Sequence, residues 1–131
     1  MKRTQWTIEI PKALPSFNMY ETLHYRVKKK LKDEWYLLVM EACHGLSFKK
    51  IPTPCTLRAT VYHKLLRQRD LLNMGTPLDK LIVDGLTRPK GNKTRGLGFL
   101  PDDDWKHISE VTLRLAKGEQ DATVLVFRRT K

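Results

Sequence analysis

The alternation of apolar and polar positions changes period several times along the chain, and each change marks an element. Residues 5–10 put Trp6, Ile8 and Ile10 on one face at period two, which predicts a strand with one buried side. Pro11 and Pro15 then end the ladder. Asn18 followed by Glu21 has capping-box spacing, and Leu23, Val27, Leu31 and Leu38 recur on one face of a long helix ending near Gly45. Cys55, Leu57, Ala59, Val61 and His63 alternate with Thr56, Arg58, Thr60, Tyr62 and Lys64, a second strand. Thr76-Pro77-Leu78-Asp79 reads as a helix start, with Thr as N-cap, Pro at the first helical position and Asp79 as a capping acid. That helix carries Leu78, Leu81, Ile82 and Gly85 on a packing face and Lys80 and Asp84 one turn apart on another, an intrahelical ion pair in the plainest reading. Val111, Leu113 and Leu115 alternate, turn at Lys117-Gly118-Glu119 and return through Val124 and Val126, which predicts a hairpin. The order strand, helix, strand, helix, strand, strand predicts one small α+β domain over residues 1–131, with a mixed sheet and two main helices.

Charge adds a partner to this outline. Against 25 Lys and Arg stand 14 Asp and Glu, a formal net charge of +11, and such a surface attracts anionic polymers by releasing their condensed counterions. Nucleic acid is the leading partner and an anionic membrane the competitor. No apolar run approaches the roughly 18 residues of a spanning helix, so a soluble, intracellular protein is expected. Lys28, Lys29, Lys30 and Lys32 read as a solvated helix face rather than a binding site. Cys43 and Cys55, with His44 and His63 nearby, complete no zinc spacing and read as buried reduced thiols. His24, His44, His63 and His107 read as packing or surface residues, and Trp35 and Trp105 as core.

Scarce carboxylates in so basic a chain draw attention to where they fall. Asp70 lies upstream of the triplet Asp102-Asp103-Asp104, with Lys80, Asp84 and a loop rich in Arg88, Lys90, Lys93 and Arg95 between them. Hard divalent cations such as magnesium prefer oxygen ligands, usually a few carboxylates plus water and substrate phosphate. Asp70 and Asp103 meet that requirement, and Lys80 can offset charge developing on a phosphate. The glycines of the loop run into an acidic turn rather than a helix N-terminus, which excludes a nucleotide fingerprint. The competing reading of the triplet is a turn with capping and solvent contacts.

Three stretches carry a family resemblance: Arg67-Gln68-Arg69-Asp70-Leu71-Leu72-Asn73, Lys80-Leu81-Ile82-Val83-Asp84-Gly85-Leu86, and Gly98-Phe99-Leu100-Pro101-Asp102-Asp103-Asp104-Trp105. With Pro15-Ser16-Phe17-Asn18 at the N-terminus, the chain resembles the RusA-type Holliday junction resolvases over nearly its whole length. The resemblance implies a homodimeric, magnesium-dependent endonuclease, with manganese a plausible substitute, that cuts four-way DNA junctions in a bacterial or phage-infected cytoplasm. It implies Asp70, Lys80 and Asp103 as catalytic residues and Asp70, Asp84, Asp102 and Asp103 as metal ligands; Arg88, Lys90, Lys93 and Arg95 of the cationic loop, with Asn18, Arg67, Arg69 and Asn73, are expected to contact DNA. Leu72 stands where the family has a second acid, and an apolar side chain cannot coordinate a hard cation. Asp79, Asp84 or Asp104 would then supply the missing oxygen, or the protein would be a weakened or inactive binder of branched DNA with the same fold.

Overall fold

The computed structural model describes residues 4–64, 75–89, 95–104 and 106–130, and of Phe17 and Asn18 the backbone only. Strand β1 spans Gln5–Ile10 and buries Trp6, Ile8 and Ile10 in strict alternation. Two helices follow where one was expected. The short α1, Phe17–Glu21, is capped by Ser16, whose hydroxyl accepts the Met19 N–H at 3.2 Å. The long α2, Tyr25–His44, starts afresh because His24 is extended and its ring nitrogen accepts the Arg26 N–H at 3.2 Å. The interruption rotates the buried face of α2 toward Trp35, Val39 and Cys43, with Leu31, Leu38 and Ala42 beside them, and leaves Val27 exposed. α2 ends at Gly45 as expected.

Strand β2, Cys55–His63, buries Cys55, Leu57, Ala59, Val61 and His63, the predicted face. The next helical segment, here α3, covers residues 75–86. It opens as an α-turn at Gly75–Pro77, widens into a π-turn over Leu78–Val83 and closes as an α-turn at Asp84–Leu86. Thr76 therefore lies inside the segment instead of capping it. Leu78, Leu81, Ile82, Val83 and Leu86 are buried and pack the segment against α2.

Strands β3, Ile108–Lys117, and β4, Ala122–Arg129, complete a four-stranded mixed sheet in the order β1-β4-β2-β3. β4 runs antiparallel to β1 and β2, and β2 runs parallel to β3. The predicted β3–β4 hairpin does not form, because β2 lies between them. Period-two alternation names the buried face of a strand but is silent on its neighbours, and β4, with Leu125 and Phe127 wholly buried, takes a central place. Registers align Trp6, Phe127, Leu57 and Val111 in one row of the inner face and Ile8, Leu125, Ala59 and Leu113 in the next. The result is a small α+β domain with one long helix and shorter ones on one face of the sheet. Cys43 and Cys55 are unbridged and buried, and burial pushes both thiols up to about 11. No helix among the described residues is long and apolar enough to cross a membrane.

Candidate metal centre

The π-turn decides where the first two acids of the site point. In a regular α-helix, residues five apart sit about 140° from each other around the axis, on different faces. Here the Asp84 N–H reaches back five residues to the Asp79 carbonyl, so one turn holds an additional residue and both carboxylates face the same way. The third acid arrives from the loop before β3. Carboxylate oxygens of Asp79, Asp84 and Asp103 all lie within 4.8 Å of one another. Asp79 and Asp84 are half-buried and Asp103 is exposed.

Two oxygens bound to one magnesium stand about 3–4 Å apart, given metal–oxygen distances of roughly 2.0–2.1 Å. The three carboxylates are thus close enough together that they could hold one such ion. Their electrostatics point the same way. Burial, hydrogen bonds with Asp79 and Asp102, and the charge of Asp79 together push the Asp103 carboxyl up to about 6. Crowded carboxylates of this kind hold a proton where a cation would relieve the same repulsion. Beside the acids opens a groove of about 360 Å³, with Leu57, Leu78, Val83, Ile108, Val111 and Leu113 as its apolar floor and Asp79 and Asp103 at its polar end.

The other members of the triplet shape the turn. Asp102 accepts the Asp103 N–H at 2.7 Å and lies beside the three-acid group. Asp104 is structural: its carboxylate accepts the Lys106 N–H at 3.0 Å and meets the His107 ring at 2.8 Å, while its carbonyl accepts two backbone N–H groups as β3 begins. His107 is thereby paired with Asp104 and placed outside the acid cluster.

No family model matches the chain, and no curated protein matches it.

Of the residues expected to act, Asp84 and Asp103 come together, and Asp79, first read as a cap, joins them. Its signal in the sequence was the five-residue spacing to Asp84, which becomes meaningful only once the helix widens. Lys80 follows Asp79 and is exposed, and among the described residues it forms no ion pair with Asp84. Asp70, Arg67, Arg69, Asn73, Lys90 and Lys93 lie outside the described residues, as does the side chain of Asn18. Arg88 is exposed at the root of the basic loop. Arg95 is engaged within the fold, 2.6 Å from the Asp33 carboxylate and over the Tyr36 ring, so it is not a freely offered loop cation. The described ends of the loop are also tied down. Arg88 N–H donates to Leu100 O, Leu97 N–H to Gly85 O, and Lys50 Nζ reaches Gly98 O at 2.9 Å.

Proposed function

We propose that this protein is a divalent-metal-dependent endonuclease acting on branched DNA, in the manner of the RusA-type resolvases it resembles in sequence. The observation that carries the reading is the convergence of Asp79, Asp84 and Asp103 from two separated stretches of a chain with net charge +11. Acids gathered in an otherwise basic protein serve poorly as solubilising charge, and they are the ligand type a hard cation selects. Magnesium bound there would polarise a phosphodiester and favour an attacking hydroxide.

The chain's own side chains supply the rest. Asp79 and Asp84 are presented by a helix packed into the core, which fixes their orientation at little entropic cost on binding. Asp103 sits on a turn braced by Asp102 and Asp104, so its carboxylate is held against the first two. Lys80, next to Asp79, is assigned to the charge that develops on the phosphate. Arg88, with Lys90 and Lys93, is assigned to the DNA backbone, where cations position without reading sequence. Asp70 is kept as a further acid of the site, and Asp79 takes the place of the acid that Leu72 lacks.

Leu72 also favours a second reading, a branched-DNA binder with weak or no cleavage. Incubation of the purified protein with a synthetic four-way junction and magnesium or manganese separates the two. Paired nicks in opposed strands, lost in Asp103→Asn and in Asp84→Asn, are expected. Tight junction binding with uncut DNA at every metal concentration would leave only the second reading.

A further inference from the structure

The acid cluster joins two stretches of chain, so something must set the distance between them. Asp84 belongs to α3, and Asp103 follows Leu100 by three residues in the loop that enters β3. Backbone bonds stitch that loop to the end of α3: Leu97 N–H donates to Gly85 O at 2.8 Å, and Leu100 N–H to Leu86 O at 3.1 Å. A side chain of α2 closes the same seam. The Tyr36 ring lies so close to Gly85 that a Cβ there would stand 3.0 Å from Cδ1 and 3.5 Å from Cε1. Its hydroxyl oxygen accepts the Gly96 N–H at 3.3 Å. Gly85 follows Asp84 directly and Gly96 precedes Leu97, so one aromatic side chain touches both stretches beside their own hydrogen bond. Asp33, one turn earlier on α2, pairs with Arg95 at 2.6 Å, and the Arg95 guanidinium stands 5.1 Å from the centre of the Tyr36 ring. Both partners of that ion pair are largely solvated, which makes it a weak fastener. The ring is the part of the clamp that packing fixes.

We propose that Tyr36 is a positioning residue for the acid cluster, holding Asp84 and Asp103 at their mutual distance by wedging its ring between Gly85 and Gly96. It acts through the backbone at those two glycines and not as a ligand. The use of that spacing for a metal ion rests on the nuclease reading, whereas the spacing itself does not. Glycine at position 85 is what the arrangement needs. The backbone there is helical, where alanine is the better helix former, so glycine forgoes intrinsic stability and admits the ring. A Cβ at that point would push the ring away by a few tenths of an ångström, and the hydroxyl that holds Gly96 would move with it. Carboxylates whose oxygens lie within 4.8 Å repel one another, so a cluster without a fixed spacer relaxes apart. Ligands already held together spare a cation the cost of ordering them on binding.

A thiol pair measures the spacing with neither metal nor DNA present. In Asp84→Cys/Asp103→Cys, equilibrium with reduced and oxidised glutathione reports the effective concentration of one thiol at the other. Cys43 and Cys55 are buried and stay out of the exchange. Added to this pair, Tyr36→Ala is expected to lower the effective concentration roughly tenfold or more. Tyr36→Phe keeps the ring on Gly85 and loses only the long bond to Gly96, so it should stay within about threefold. Gly85→Ala should lower the value by about threefold while urea denaturation shows stability equal to or above the parent's, a split that a merely structural role would not produce. In the Tyr36→Ala background Gly85→Ala should have no further effect, because no ring remains to be displaced. Circular dichroism monitors folding, and if Tyr36→Ala misfolds, Tyr36→Leu makes the same comparison. A parent pair that forms no disulfide, an unchanged effective concentration in a folded Tyr36 variant, or equal effects of Gly85→Ala in both backgrounds would overturn the proposal. Calorimetric titration of the proteins with native acids by magnesium or manganese separates the two readings, with affinity expected to fall roughly tenfold in Tyr36→Ala. A wild type that binds neither ion, while the thiol pair still depends on Tyr36, would count against the nuclease reading and leave the positioning role standing.

Discussion

Asp103 keeps its proton to about pH 6 because burial and the neighbouring Asp79 and Asp102 disfavour its charge, and that has a consequence for stability. The folded state binds more protons than the unfolded one between the ordinary value of 3.8 and about 6. Unfolding free energy therefore falls as pH rises through that window, and the full penalty stands above it. In metal-free protein Asp103→Asn is expected to raise stability at pH 7.5 by up to about 1 kcal/mol, a figure already discounted for solvent screening at an exposed carboxyl. Near pH 3.5 the variant and wild type should coincide, which thermal melts across pH will show. Under the proposed metal site, the same substitution should weaken magnesium binding at least tenfold by calorimetry, because one of the three candidate ligands loses its charge. Gly96 makes a different demand. Its φ is +153°, and a Cβ there would collide with the Thr87 carbonyl oxygen and press on Pro89. Gly96→Ala should cost about 2–3 kcal/mol in urea denaturation, as expected where a side chain meets fixed backbone.

At the scale of the element, α3 shows how one additional residue in a turn can build a site. The apolar spacing of Leu78, Leu81 and Ile82 was readable as a helix, and those residues are buried. The widening was not readable, because the π-turn gains nothing in local propensity and is held by packing on both of its flanks. Deleting Lys80 should convert the turn to regular α geometry, with Asp79 and Asp84 then four apart and still on one face. Cation affinity is expected to stay within about threefold of wild type while junction cleavage is lost, which separates the two roles. Calorimetry and a cleavage assay on the same preparation check both halves; loss of cation binding in a folded deletion variant would show that the π geometry itself is required. The split of the predicted helix into α1 and α2 has a similar origin. Tetrad spacing ran on through Leu23 and Val27, while the ring of His24 offered a competing cap.

Across the whole molecule, an excess of positive charge would set the interaction with DNA under the proposed function. Binding to a junction should weaken linearly with the logarithm of salt concentration, with a slope near one unit per phosphate contact. Replacing Arg88, Lys90 and Lys93 together by Ala is expected to flatten that slope by about 2–3 units, whereas Arg95→Ala should leave the slope nearly unchanged and cost stability instead, since its guanidinium is paired with Asp33 and Tyr36. Fluorescence anisotropy at several salt concentrations measures the first effect and chemical denaturation the second. An unchanged slope in the triple variant would remove the loop from the DNA surface.

Local patterning alone determined the faces of β1 and β2, the end of α2 at Gly45 and the presence of a helix carrying Asp84. Each follows from periodicity or cap chemistry within a few residues. Strand order and the membership of the acid cluster were decided only by the tertiary structure. Pairing β4 between β1 and β2, and bringing Asp103 to Asp79, are matters of which surfaces exclude water together. Residues far apart in the chain settle that jointly, so no single stretch of sequence records it.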